Sequence, residues 1–239
     1  MICFPCGRVQ SVVLAYALPA NQLGPLLPPP FALDVSERHP YLGYVAVALV
    51  RARQLRPEGM PRALGRDFFL AGYRVFVRYT DARGRRLRGL YILGSATDSP
   101  IMARLGGLVT DYRYELIDVA EDLREVSYAV ESRAGGLDVC VDWSGAPVLP
   151  EGSPFADWRA ARRFAGPLPF TFSYDAAEER VTIVEGVREH WRPQPIRVWR
   201  AEVAKLLEAP FRDRALASAF RVHDIPYRWR RGYCERWPR

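Results

Sequence analysis

Most of the chain reads as strands, some as short continuous apolar runs and others with apolar and polar residues alternating at a period of two, which marks strands that bury one face. Residues 9–16 are apolar and β-branched, and residues 44–50 repeat that pattern. Residues 68–79 and 87–93 flank Thr80-Asp81-Ala82-Arg83-Gly84-Arg85, a loop whose Asp and Gly predict a hairpin. Three more strands are expected over 109–119, 125–131 and 137–143, the last two joined across Ala134-Gly135-Gly136. In the third, Leu137, Val139, Val141 and Trp143 face one way and Asp138, Cys140 and Asp142 the other. A hairpin over 169–174 and 180–185 turns at Asp175-Ala176-Ala177. Long strands over 188–203 and 219–229 follow, with a helical patch near 211–217 between them.

The helical signals are short. Pro19-Ala20-Asn21 opens a turn that Pro28-Pro29-Pro30 ends, since proline removes a donor and clashes with a continuing helix. Ser99-Pro100 reads as an N-cap followed by a first-turn proline, with a helix through Met102 and Leu105 stopping at Gly106-Gly107. Ser153-Pro154 repeats the signal for a helix carrying Phe155, Trp158 and Ala161 to Gly166. No internal repeat of about 20–50 residues occurs. The pattern predicts a mainly β (β-rich α+β) fold: a single barrel or cone-shaped antiparallel sheet with a few short helices. We expect one domain over residues 1–239, with its core about 8–232 and tails at 1–7 and 233–239.

Composition changes this picture in one respect. Hydrophobic residues are 49% and charged residues 26% of the 239, an ordinary globular balance. Of the 34 basic residues, Lys205 is the sole lysine, so any reaction through a lysine amine has one candidate. The net charge of +7 is spread among acids rather than gathered into a stripe. Four cysteines make no disulfide scaffold and agree with a reducing compartment. Apolar stretches fall short of the roughly 20 residues a membrane helix needs. Residues 9–18 contain Gln10 and Ser11 and lead to no small-residue cleavage site. A cytoplasmic protein without membrane partners is expected.

Most candidate chemistry has an ordinary structural explanation. Cys3-Phe4-Pro5-Cys6 lacks a second ligand pair, so no metal site and no cofactor are expected. His39, His190 and His223 share no ligand spacing; Asp224 could orient His223 as a base, or the pair could simply close a strand edge. Tyr227-Arg228-Trp229-Arg230-Arg231-Gly232-Tyr233 interleaves rings and cations, as single-stranded nucleic acid would require. The same alternation describes an amphipathic edge strand, and the dispersed charge argues against nucleic acid. No Ser-His-Asp array, phosphate loop or dinucleotide glycine pattern is present.

Two strands carry more. In Asp111-Tyr112-Arg113-Tyr114-Glu115 the charged residues share one face and the tyrosines the other. Arg74, Phe76 and Arg78 share a face of an otherwise apolar strand. Arginines in such settings are expensive to bury unless paired or facing a ligand. Either Arg113, Arg74 and Arg78 meet an anionic ligand in an interior cavity, or they pair with Asp111 and Glu115 or stay solvated. Tyr112, Asp111 and Glu115 are the candidates for acid/base chemistry.

The order of these segments resembles the acetoacetate decarboxylase-like superfamily over roughly residues 8–232. Val12-Val13-Leu14-Ala15-Tyr16 and then Leu23-Gly24-Pro25-Leu26-Leu27-Pro28-Pro29-Pro30-Phe31-Ala32-Leu33-Asp34 are similar to its opening strand, short helix and proline-flanked turn. Leu90-Tyr91-Ile92-Leu93 with the helix after Ser99 looks like its central segment. His223-Asp224-Ile225-Pro226 looks like part of its closing strand. The nearest likeness is to an uncharacterised bacterial family within that superfamily. The resemblance implies a sheet enclosing a small-molecule cavity, and often a homo-oligomer. It also exposes a departure. The decarboxylase's adjacent lysines, one of which forms the imine with a keto acid, correspond to Tyr112-Arg113. The family's arginine after the first strand is Ala17 here, and its pocket glutamate falls near Leu70. A guanidinium stays protonated and forms no imine. The expected function is therefore binding of a small organic acid in an internal cavity, without lysine Schiff-base decarboxylation. The alternative is a non-enzymatic interaction module that binds anionic partners through the carboxyl-terminal arginines and aromatics.

Overall fold

The computed structural model of the chain describes residues 3–107, 111–146, 148–188 and 192–237, and for 3–7 only the backbone. Its strands fall into two sheets. The chain first lays down β1 (Cys3–Pro19), β2 (Phe31–Leu33), β3 (Leu42–Leu55), β4 (Arg66–Thr80), β5 (Arg86–Thr97) and β6 (Tyr114–Leu116). It then leaves for a smaller sheet with β7 (Ala120–Leu123), β8 (Ser127–Ser132) and β9 (Leu137–Asp142). β10 (Phe170–Asp175), β11 (Arg180–Arg188) and β12 (Gln194–Pro195) return to the large sheet. β13 (Arg197–Val203) joins the small one, and β14 (Ala215–Arg230) and β15 (Tyr233–Arg236) complete the large one. Three short helices are described: α1 (Ala20–Leu23), α2 (Pro100–Leu105) and α3 (Trp158–Ala165).

The large sheet runs β12-β14-β1-β3-β4-β5-β10-β11-β15, with β2 beside β4 and β6 beside β5. β11 also pairs with β14 through Gly186–Trp229, Val187–Arg228 and Arg188–Tyr227, so the sheet curls until its two arms meet. The expectation of a wholly antiparallel sheet needs correcting, because β5 runs parallel to both β6 and β10. The small sheet, ordered β13-β9-β8-β7, is antiparallel throughout.

Period-two alternation decides which residues meet. One face of the large sheet presents Val12, Leu14 and Tyr16 of β1, Val45, Val47 and Leu49 of β3, and Phe69, Ala71, Tyr73 and Val75 of β4. These pack with Val130, Val139, Val141 and Val203 of the small sheet in one buried cluster. Each such side chain, fully buried, contributes roughly 1.5–3 kcal/mol. The opposite face carries two separate clusters, one around Phe68 and Phe220 and one around Tyr44 and Phe76, and Val13 packs against both.

Several sequence expectations shift. The expected 109–119 strand starts outside the described residues, and only Tyr114–Leu116 pairs. Asp111 has φ of 57°, a left-handed conformation that an extended strand cannot continue through. The third helix begins at Trp158, because the Asp157 carboxylate accepts from Ala160 N at 2.7 Å and caps it. Ser153, the expected cap, donates instead to the Ala217 carbonyl at 2.6 Å. No helix forms near 211–217; β14 already starts at Ala215. Within the expected tails, residues 3–7 belong to β1, which pairs from Cys3 opposite Arg230, and Tyr233–Arg236 forms β15, which pairs with β11. The Glu235 carboxylate anchors β15 by accepting from Tyr79 Oη and Ala82 N, each at 3.0 Å. Among the described residues no helix is long and apolar enough to cross a membrane.

Candidate functional site

The second face of the large sheet, opposite the small sheet, lines a cavity of about 410 Å³. Register explains the space. Val13 of β1 lies opposite Ala48 of β3, Ala48 opposite Gly72 of β4, and Gly72 opposite Ser95 of β5. Four neighbouring strands thus contribute a row of small side chains to the cavity wall. A β-bulge in β5 keeps its wall continuous. Tyr73 faces Gly94 while Arg74 faces Ile92, so Leu93 has no opposite residue. Leu90 and Ile92 therefore point to the same side as Ser95, although three residues separate Ile92 from Ser95.

Arg74 reaches into this space from the middle of β4. A Cβ built on Gly72 would lie 2.7 Å from Arg74 Nε and 2.8 Å from Nη2, so the guanidinium rests over a position that only glycine leaves open. Arg74 sits deep in the protein, and the surface it keeps opens on the cavity. Its Nε is buried without a hydrogen-bond partner among the described residues. Burial pulls its guanidinium below the usual arginine range, and the phenols of Tyr227, Tyr112 and Tyr114 act in the opposite direction. Among the described residues the wall holds no Asp, Glu, Lys or His. A protonated guanidinium thus faces a largely apolar space with no carboxylate in the wall, among the described residues, to balance it.

Around Arg74 stand the hydroxyl groups of the site. Tyr112 Oη donates to Thr171 Oγ1 at 2.5 Å. Burial raises the Tyr112 hydroxyl well above its ordinary value, against the opposing effect of the Thr171 hydrogen bond. At physiological pH it is a proton or hydrogen-bond donor and not a base. Arg188, at the end of β11, also lines the cavity; its Nη2 donates to the Leu168 carbonyl and its guanidinium lies 5.8 Å from the Tyr227 ring centroid. Burial lowers its pKa, and the like charge of Arg74 lowers it further.

The residues singled out in the sequence separate in space. Arg74 and Tyr112 line the cavity, whereas Arg113, Arg78, Asp111 and Glu115 do not. Arg113 is exposed, because the chain at Tyr112–Tyr114 turns its tyrosines inward and leaves Arg113 on the outer side. Arg78 Nε donates at 2.6 Å to the fully buried carboxylate of Asp34, which Arg88 Nε also contacts at 2.6 Å. Asp111 accepts from Thr182 Oγ1 at 2.6 Å and from Arg180 Nη2 at 3.3 Å. Glu115 pairs with Lys205 at 2.7 Å on the opposite side of the sheet from Arg74, where the ammonium also lies 4.9 Å from the Tyr73 ring centroid. Asp224 pairs with Arg8 rather than orienting His223, which is exposed. Tyr227 and Trp229 face the cavity with ring centroids 4.5 Å apart, while Arg230 pairs with Glu185 at 2.6 Å. The arginine/aromatic segment is accordingly an amphipathic strand whose rings build the wall. The side chains of Cys3 and Cys6, and His190, lie outside the described residues.

Sequence reasoning passed over Gly72 and Arg188. A glycine inside a strand flanked by bulky residues signals close approach of another group, and that signal was available at Gly72. Arg188 sits where a strand meets undescribed residues, with no pattern that would distinguish it.

Solved structures share this fold. A crystal structure of acetoacetate decarboxylase from Legionella pneumophila matches with a TM-score of 0.63 at 13% identity, covering 97% of this chain and 86% of that one. An acetoacetate decarboxylase-like enzyme from Sphingomonas wittichii RW1 matches with a TM-score of 0.61 at 12% identity, covering 99% and 93%. The enduracididine biosynthesis enzyme MppR complexed with pyruvate matches with a TM-score of 0.55 at 10% identity, covering 98% and 88%. At these identities the likeness establishes the acetoacetate decarboxylase-like fold alone. No curated protein matches the sequence. The family model of DUF2071, an uncharacterized conserved protein, matches residues 9–229, and the chain belongs to that family.

Proposed function

We propose that this protein binds a small organic acid in the cavity, with the carboxylate seated on Arg74, and that it does so without lysine Schiff-base decarboxylation. The observation that carries the reading is the Arg74 guanidinium itself: deep in the molecule, facing an apolar space, with Nε unpartnered and no wall carboxylate among the described residues. A bound carboxylate supplies the charge and the hydrogen-bond acceptor that the site lacks, and guanidinium geometry matches a carboxylate in a fork of two hydrogen bonds. MppR, of the same fold, is complexed with pyruvate, which makes small oxo acids the first compounds to test. The decarboxylase imine needs an amine in the cavity, and Lys205 is on the far face of the sheet, paired with Glu115.

Thermal shift across a panel of carboxylic acids tests the binding claim. A ligand at a hundredfold its Kd stabilises by about 2.7 kcal/mol, so even weak binding is visible at high concentration. The expected result is stabilisation by acids but not by the matching amides, lost in Arg74→Met. Stabilisation that survives Arg74→Met intact would remove Arg74 from the site. Borohydride trapping with β-keto acids tests the second half: no adduct is expected, and an adduct on Lys205 would overturn it.

A further inference from the structure

The cavity is too large and too apolar for a three- or four-carbon acid alone. Even if each heavy atom is given the roughly 30 Å³ of a water molecule in the liquid, the six heavy atoms of pyruvate fill less than half of the 410 Å³. Tyr112, Thr171, Arg188 and Tyr227 stand at the Arg74 end of the wall, and Arg56 and Arg66 at the other. Of the buried side-chain polar atoms without a hydrogen-bond partner among the described residues, Arg74 Nε is the one that belongs to the cavity wall. Arg188 already donates to the Leu168 carbonyl.

Away from Arg74 the wall changes character along β4. After Gly72 come the Leu70 row, with Val50 opposite, and the Phe68 row, with Ala52 opposite. From Arg74 to Phe68 is six residues of strand, about 20 Å at ~3.3 Å per residue. Beyond Phe68 the cavity reaches exposed Arg66, with Leu55 opposite it and Arg56 also in the wall. The site thus has a deep end with Arg74 and Arg188, an apolar length along Leu70 and Phe68, and a mouth where arginines stand again.

We infer that the ligand is a carboxylic acid with an extended apolar body, its carboxylate on Arg74 and its tail lying along β4 past Leu70 toward Phe68. This rests on the reading of Arg74 as the carboxylate seat and adds the class of acid. A second charge within a few carbons of the first would lie against the apolar Leu70 and Phe68 rows, short of Arg66 at the mouth. A tail buried there gains with every methylene.

The test is the Kd of straight-chain monocarboxylates from butanoate to decanoate, followed by fluorescence of the wild-type protein below the concentrations at which they aggregate. The series should tighten about fourfold per added methylene. Leu70→Trp, which fills the middle of the channel, should weaken octanoate at least tenfold and leave butanoate within about twofold. Equal Kd values along the series would overturn the extended-body inference while leaving the carboxylate reading in place. Equal weakening of octanoate and butanoate by Leu70→Trp would overturn the tail's course along β4. Binding of octanol as tight as octanoate, unchanged by Arg74→Met, would instead overturn the carboxylate reading beneath it. Should Leu70→Trp fail to fold, the wild-type series decides by itself.

Discussion

The two faces of β4 are made from alternate residues of one strand and do opposite things. Phe69, Ala71, Tyr73, Val75 and Val77 fill the seam with the small sheet completely. On the other face Phe68 and Phe76 are buried in clusters of their own, while Leu70 and Arg74 keep surface on the cavity that Gly72 also lines. Each face also has a cation near Gly94 of β5 and its bulge. Lys205 packs over Tyr73 and is paired with Glu115 at the surface, whereas Arg74 is deep and has no carboxylate partner among the described residues. The difference teaches that charge pairing follows the purpose of the face. Where the chain packs against itself Lys205 is matched by Glu115; where it leaves room, no wall carboxylate among the described residues meets Arg74.

The largest effect should come from truncating the packed face. Phe69→Ala removes a fully buried ring and should destabilise by about 3–5 kcal/mol, against roughly 1 kcal/mol for Leu70→Ala, whose side chain borders open space. Urea unfolding measures both, and equal losses would erase the distinction between the faces. Next is Gly72→Ala. Its Cβ conflicts only with the movable end of Arg74, so carboxylate affinity should fall about tenfold, or ~1.4 kcal/mol, while Tm stays nearly unchanged. A large drop in Tm would mean that Gly72 serves packing.

The alkaline limit of stability probes buried hydroxyls. Tyr16, Tyr44 and Tyr73 have hydroxyl oxygens buried without partners, and burial pushes each of them up to about 12. A raised acid pKa in the folded state means full stability below the unfolded value near 10 and loss as pH climbs toward 12. Stability should therefore be flat through neutral pH and fall between about pH 10 and 12, in step with phenolate absorbance. Phenolate formation at ordinary tyrosine pH without unfolding would contradict it. The smallest effect belongs to Lys205→Met, which removes a surface ion pair: less than about 1 kcal/mol, with carboxylate binding intact.

Much of this was legible in the chain. Apolar, β-branched runs over 9–16, 44–50 and 68–79 announced β1, β3 and β4, and the placement of Arg74 within an apolar strand flagged it as a cation that needed an answer. What escaped was long-range. Nothing near Arg78 in sequence reveals that Asp34 waits beside it, because β2 and β4 meet only through the fold. The alternation over 111–115 grouped the residues correctly but could not say which group faced inward. Asp111's left-handed backbone broke the strand that the pattern predicted. Residues 211–217 looked helical because their local spacing was weighed without the pairing partner, β1, that extends β14. The lone lysine, conspicuous in composition, turned out to stand behind the wall rather than in it.

The central claim is that Arg74 is an unmatched cation awaiting a carboxylate. Its most direct test is calorimetric titration of one binding acid into the wild type and Arg74→Met, with Tm measured on both proteins without ligand. Removing an uncompensated buried charge should leave Tm equal or higher, and acid binding should be lost by at least a hundredfold. An Arg74→Met protein that binds the acid as tightly as the wild type, or that melts well below it without ligand, would contradict the account.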